Sequence, residues 1–187
     1  MLLVVMFFLY LAGQVMPAVW PFYTKYLYKW SDREIGYSLA FVGVMVSIVQ
    51  GGLIKWTQKK FGPIRSLYIG IAFYMAGLAL FAFANQSWMI YVFTLVYCLG
   101  GIGPPSLQGI VSGRIPPNEQ GELQGMMTAL MSLTTILSPL IMTNLFYFFT
   151  KDNAPFHFPG APFAAAAIIV FVGLLICVKE LKKKVEN

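Results

Sequence analysis

Charge is what this sequence has least of. Asp, Glu, Lys and Arg make up 11% of its 187 residues, against about 25% in an ordinary soluble domain. Six apolar stretches contain none at all: Met1–Tyr23, Ile35–Ile54, Ser66–Ala84, Trp88–Gly113, Leu123–Phe149 and Pro162–Val178. Histidine occurs once and cysteine twice. His157 has no second His or Cys nearby, which argues against a His/Cys metal centre; it reads as a solvated or locally bonded loop residue. Cys98 and Cys177 lie far apart within apolar stretches, so they read as small buried hydrophobes and not as a disulfide framework. No segment between the stretches is long enough for a soluble domain, the longest being the 12 residues Thr150–Ala161. Met1–Phe8 is expected to belong to a span and not to a cleaved leader, because it lacks a basic flank and the apolar run continues to Trp20 without a small-x-small site. Intramembrane hydrolysis requires paired Asp, a Ser–His pair or a zinc motif. None stands at membrane depth, so no catalytic residue, metal or cofactor is expected.

What the chain does have is hydrophobic length. A helix needs about 20 apolar residues to cross a hydrocarbon core of roughly 30 Å. Its backbone amides, without water, must bond internally. The sequence therefore predicts an all-α integral membrane protein: one domain over 1–187, with six transmembrane helices (about 1–23, 35–54, 66–84, 88–113, 123–149 and 162–178). The net charge of +6 does not indicate nucleic acid, because the basic residues gather at span ends, as in cytoplasmic loops. With the N-terminus inside, Lys55, Lys59, Lys60, Arg65, Arg114, Lys179, Lys182, Lys183 and Lys184 are internal, and Lys25, Lys29, Arg33 and Lys151 are external. Nine against four places both termini in the cytoplasm, in a cell (inner or plasma) membrane. Trp20, Trp30, Trp56 and Trp88 fall near span ends and predict an interfacial aromatic belt.

Several features mark individual spans. Tyr10, Gln14, Pro17 and Pro21 share one face of span one, where the prolines predict a break and Gln14 must face protein or a wet cavity. Ser31 and Glu34 form a capping-box pattern before span two. Gly36, Ala40, Gly43, Ser47 and Gly51 then recur every three or four residues, a seam that admits another helix closely. Gln50 lies one turn from the inner end. The basic loop Lys55–Arg65 turns at Gly62-Pro63. In span four, Gly100-Gly101-Ile102-Gly103-Pro104-Pro105 weakens the helix ahead of Gln108. The freed carbonyls there either line a cavity or meet a neighbouring helix. Thr128, Ser132 and Thr135 share a face of span five, with Pro139 beyond. Their hydroxyls either bond their own backbone or wall a polar cavity. Lys179 to Lys184 form a basic cytoplasmic anchor. Glu34-Ile35-Gly36 and Glu119-Gln120-Gly121 open spans two and five, 85 residues apart. They point to two three-helix units, the second inverted in the membrane.

These segments carry a family resemblance. Gly13-Gln14, Pro17-Ala18-Val19-Trp20, Phe22, Thr24 and Trp30 contribute to it, with Gly36-Tyr37-Ser38-Leu39-Ala40. Further on come Gly100-Gly101-Ile102, Pro105-Ser106-Leu107-Gln108-Gly109, Gln120-Gly121-Glu122-Leu123-Gln124-Gly125 and Gly160-Ala161-Pro162-Phe163. The chain resembles the C-terminal six helices of the drug:proton antiporter branch of the major facilitator superfamily, above all the tetracycline-resistance (Tet) efflux proteins. The resemblance implies half of a twelve-helix secondary transporter, exporting a small molecule or drug by alternating access with a cavity lined by spans one, two, four and five. Candidate lining residues are Tyr10, Gln14, Gln50, Gln108, Thr128, Ser132 and Thr135. Pro17, Pro21, Gly103, Pro104, Pro105 and Pro139 are candidate helix breaks. Gly51, Gly52, Lys59, Lys60 and Gly62 resemble a degenerate copy of the superfamily's cytoplasmic loop motif, without its acidic residue.

The tetracycline antiporters carry a histidine and an aspartate at positions that correspond to Val46 and Tyr74. The proton cycle of those proteins is therefore not expected of this half alone. The expected partners are the lipid bilayer, a small-molecule substrate, and an N-terminal six-helix half or a second copy of the chain; nucleic acid is not among them. The abrupt start within a span reads as a fragment or half of something longer. The alternatives are a non-transporting membrane scaffold or subunit, or a truncated inactive remnant.

Overall fold

The computed structural model describes residues 1–183. Helices α1 (Leu2–Gly13) and α2 (Val15–Tyr28) form one interrupted rod. Helix α3 (Asp32–Ile48) runs through a π-helical turn at Val49–Leu53 into α4 (Ile54–Ala82). Helices α5 (Ser87–Leu99) and α6 (Gly103–Ser112) are joined by a 3-10 turn at Gly100–Ile102. Helix α7 (Gln120–Thr150) and helix α8 (Ala161–Lys183) complete the described residues. Among the described residues, five helical stretches are long and apolar enough to cross a membrane: Leu2–Tyr28, Asp32–Ala82, Ser87–Ser112, Pro117–Thr150 and Ala161–Lys182. The anchor residue Lys184 lies outside the described residues.

The 51-residue stretch Asp32–Ala82 is not straight. At about 1.5 Å per residue, a straight helix would hold Ser38 and Phe81 roughly 65 Å apart. Yet the Trp20 indole N–H donates to Ser38 Oγ at 2.9 Å, and the Trp20 ring lies 5.3 Å from that of Phe81. The stretch therefore folds back on itself. The hinge is Gly62, at φ +78° and ψ 165°, a backbone region open to glycine and strained for other residues. Pro63 disfavours helical geometry in the residue before it. The expected loop Lys55–Arg65 is corrected in one respect: its first part is helical, and the turn is confined to Gly62-Pro63. Helix α3 starts where its cap predicts. Ser31 Oγ accepts from the Glu34 amide at 3.4 Å, and the Glu34 carboxylate accepts from the Ser31 amide at 2.7 Å.

The core is built on close backbone approach and aromatic packing. Added to Gly70, a Cβ would fall 2.3 Å from the Gly103 nitrogen; at Gly77 it would fall 2.5 Å from Tyr97 Cα, and at Gly160 1.9 Å from the Ala82 carbonyl oxygen. These glycines let α4 lie directly on the α5–α6 rod and on the start of α8. Trp20, Tyr23, Phe81 and Phe163 form a fully buried cluster with ring centroids 4.8–6.4 Å apart. Trp20 is therefore a core residue and not part of an interfacial belt, because Ser38 satisfies its only polar atom inside the bundle. Trp30 is also buried and donates to Ser87 Oγ. Of the four tryptophans, Trp56 and Trp88 are exposed. Both thiols are buried, and His157, expected to be solvated or locally bonded, instead shares a hydrogen bond with the distant Tyr26 hydroxyl at 2.7 Å, which ties the segment between α7 and α8 to α2.

Candidate functional site

The first rod breaks where proline chemistry requires it. Pro17 has no N–H for the Gly13 carbonyl, and its ring crowds that turn. The chain leaves regular helix at Gln14, between α1 and α2. Pro21 sits inside α2 and Pro139 inside α7, and both helices continue through them. Pro104 and Pro105 occupy the first turn of α6, where a missing N–H costs least. The two readings of the glycine-proline run in span four both hold, on opposite faces. Gly100 and Gly103 press against Tyr74 and Gly70 of α4, while Gly101, Pro104 and Pro105 line a cavity.

That cavity has a volume of about 370 Å³. Tyr10 comes to it from α1, Gln50 from the π-turn, Gln108 from α6 and Thr128 from α7. Gln124, Met127 and Met131 complete the α7 wall. Gln50 and Thr128 are themselves exposed, so the space is a concave face and not a sealed hole. None of these lining residues is charged. π-Turns recur at functional sites because they re-aim side chains within a helix, and here one places Gln50 at the cavity wall.

Gln14 and Thr135 do not line this cavity but bond each other, Gln14 Nε2 donating to Thr135 Oγ1 at 3.2 Å. The Thr135 hydroxyl in turn donates to the Met131 carbonyl at 2.9 Å. Self-bonding of membrane hydroxyls and wall-building thus coexist on α7. Ser132 is exposed on the same helix and is not brought to the cavity. Gln124 was missed by the sequence reading of the wall, although it stands one helical turn before Thr128, a spacing that puts both on one face.

The degenerate loop motif is dispersed. Gly51 and Gly52 lie exposed in the π-turn, and Lys59 and Lys60 lie exposed on the first part of α4. The Lys60 ammonium stands 4.8 Å from the Trp56 ring centroid, a cation–π distance. Gln58 Nε2 donates to Ser106 Oγ at 3.2 Å, tying this segment to α6.

The small-residue seam on α3 is open. Gly36, Ala40, Gly43, Ser47 and Gly51 are all exposed, and a Cβ at Gly36, Gly43 or Gly51 would meet nothing within 4 Å. Gly121 and Gly125 on α7 are equally open.

The sequence profile of the Major Facilitator Superfamily matches residues 2–186. The chain belongs to this superfamily. Its relatives include the tetracycline resistance protein of class C from Escherichia coli, 37% identical over 145 residues, which are 78% of this chain and 37% of that protein. The class G protein of Vibrio anguillarum is also 37% identical, over the same share of each chain. Hippocampus abundant transcript-like protein 1 of Bos taurus is 26% identical over 170 residues, 83% of this chain and 34% of that protein. The chain thus spans little more than a third of the length of these relatives. Membership fits the all-helical, apolar architecture of an integral membrane protein.

Proposed function

We propose that this chain works as one six-helix half of a secondary transporter that moves a small molecule by alternating access. The observation that carries the reading is the meeting of Tyr10, Gln50, Gln108 and Thr128, from four separate helical segments, on one concave face. Isolated amides and hydroxyls are costly at membrane depth unless they serve a wet path or a partner. Four converging on a single cavity serve a solute. The chain crosses the bilayer six times with both termini cytoplasmic in the cell membrane, counting Asp32–Ala82 as two crossings hinged at Gly62. The second half is an N-terminal six-helix unit or another copy of the chain, seated against the open faces of α3 and α7. Transport proceeds by rocking of one half against the other, and efflux is the direction that the tetracycline resistance relatives support. Val46 and Tyr74 stand where the antiporters of that branch carry ionisable groups, so tetracycline–proton exchange is not assigned to this half.

Double substitution of Gln50 and Gln108 by Ala tests the reading. Flux in cells expressing the chain with its second half should fall at least tenfold, while helicity and expression stay unchanged. Undiminished flux would sink the cavity assignment, and a non-transporting scaffold would be indifferent to both changes.

A further inference from the structure

Behind Gln50 a smaller chamber of about 180 Å³ opens off the cavity, sharing Gln50, Gly101 and Pro104 with it. Its own walls are Val46, Tyr74, Tyr97 and Cys98. Volume decides what fits. A buried apolar space of about 150 Å³ takes up a single benzene ring, so this chamber has room for one six-membered ring with a small substituent.

The chamber is built and not a packing accident. The Tyr74 and Tyr97 rings lie 5.4 Å apart at an interplanar angle of 41°. Tyr74 is held from two sides: a Cβ at Gly100 would come within 2.6 Å of its Cα, and one at Gly13 within 2.9 Å of its hydroxyl oxygen. Glycine at both positions is what allows Tyr74 to reach from α4 to the break in the first rod. The walls also carry no charge. A phenol ordinarily ionises near pH 10 and a thiol near 8.5, and no Asp, Glu, Lys, Arg or His is among the lining residues. An ion entering the chamber would lose its hydration without gaining a counter-charge.

We infer that this chamber is an aromatic-ring subsite of the transport cavity, selective for an uncharged monocyclic ring whose hydroxyl or carbonyl hydrogen-bonds to Gln50 and the two tyrosines. The inference rests on the transporter reading and adds to it a substrate class: neutral solutes with a terminal phenyl or phenol group.

The test reads binding and not flux. The full chain in lipid nanodiscs is titrated with 4-fluorophenol and followed by fluorine NMR. Saturable line broadening is expected, since partition into lipid does not saturate. Excess phenol or neutral benzyl alcohol should reverse it, whereas benzylammonium and benzoate at the same concentration should not. Val46→Phe fills the chamber and should weaken binding at least tenfold with helicity and melting retained. If that variant fails to fold, Cys98→Leu fills the chamber from α5. Absence of saturable binding in the wild type, undiminished binding in a folded filler variant, or equal displacement by the charged rings overturns the proposal. Failure of the transporter reading is a separate result, because ring binding can persist without flux and flux can persist without ring binding.

Discussion

Two sets of glycines divide this molecule. Gly70, Gly77, Gly100 and Gly160 stand where any side chain would strike the backbone of a neighbouring helix. Gly36, Gly43, Gly51, Gly121 and Gly125 stand where a side chain would meet nothing. The first set explains itself: without a hydrophobic force between helices in lipid, close van der Waals contact holds the bundle together, and small residues permit it. The second set has the same chemistry at similar spacing but no neighbour among the described residues. Glycine inside an exposed helix costs about 1 kcal/mol relative to Ala. A row of them along α3 makes sense when another helix lies there, and the cavity polar groups Gln50 and Thr128 are exposed on those same two rods.

Substitutions sharpen that contrast, from the largest effect to the smallest. Gly160→Ala and Gly100→Ala drive a methyl group into the backbone of Ala82 and Tyr74, and each should cost about 3 kcal/mol or more of bundle stability, at the upper end for overpacking. Denaturation in mixed micelles measures this; a loss below 1 kcal/mol would mean that the inner seam is loose. Trp20→Phe removes the indole donor to Ser38 and leaves space in the aromatic cluster, and should cost about 2 kcal/mol by the same assay. Ser31→Ala removes the cap on α3, with an expected cost of about 1 kcal/mol. Glu34 belongs to that cap. Its carboxylate accepts from the Ser31 amide and then from the Ser31 hydroxyl, which holds its pKa below the ordinary carboxylate value. A depressed folded pKa contributes stability that is present above about pH 4.3, the unfolded value, and is lost as pH falls through the lower folded value. Acid melting of Glu34→Gln should lack that component; identical acid curves would remove the box from the account. Not destabilised at all are Gly43→Leu and Gly125→Leu, which should gain up to about 1 kcal/mol from helix propensity yet abolish co-purification with the second half.

The contrast also shows how far residues alone reach. The rods were legible from uncharged length, the break at Gln14 from Pro17, the hinge from Gly62-Pro63, and the start of α3 from Ser31 and Glu34. Four of the seven cavity candidates meet at one cavity because helical spacing orders residues within each rod. Ser132 does not, since α7 turns it outward, and the rotation of a helix is set by its neighbours. Trp20 misled for a related reason. Its place near a span end is a one-dimensional fact, whereas its burial depends on Ser38, Phe81 and Phe163 arriving from three other helices. The π-turn at Val49–Leu53 left no signal beyond Gly51-Gly52, so the placement of Gln50 had to come from the fold.

The most direct test of the account is photo-cross-linking of the chain co-expressed with its second half in native membranes. Benzophenone-alanine is placed singly at Gly43 and Gly125 on the open seams, and at Ile168 and Leu175, which are exposed on α8. The account predicts protein adducts from Gly43 and Gly125 and lipid adducts alone from Ile168 and Leu175. Lipid adducts alone from all four positions would contradict it.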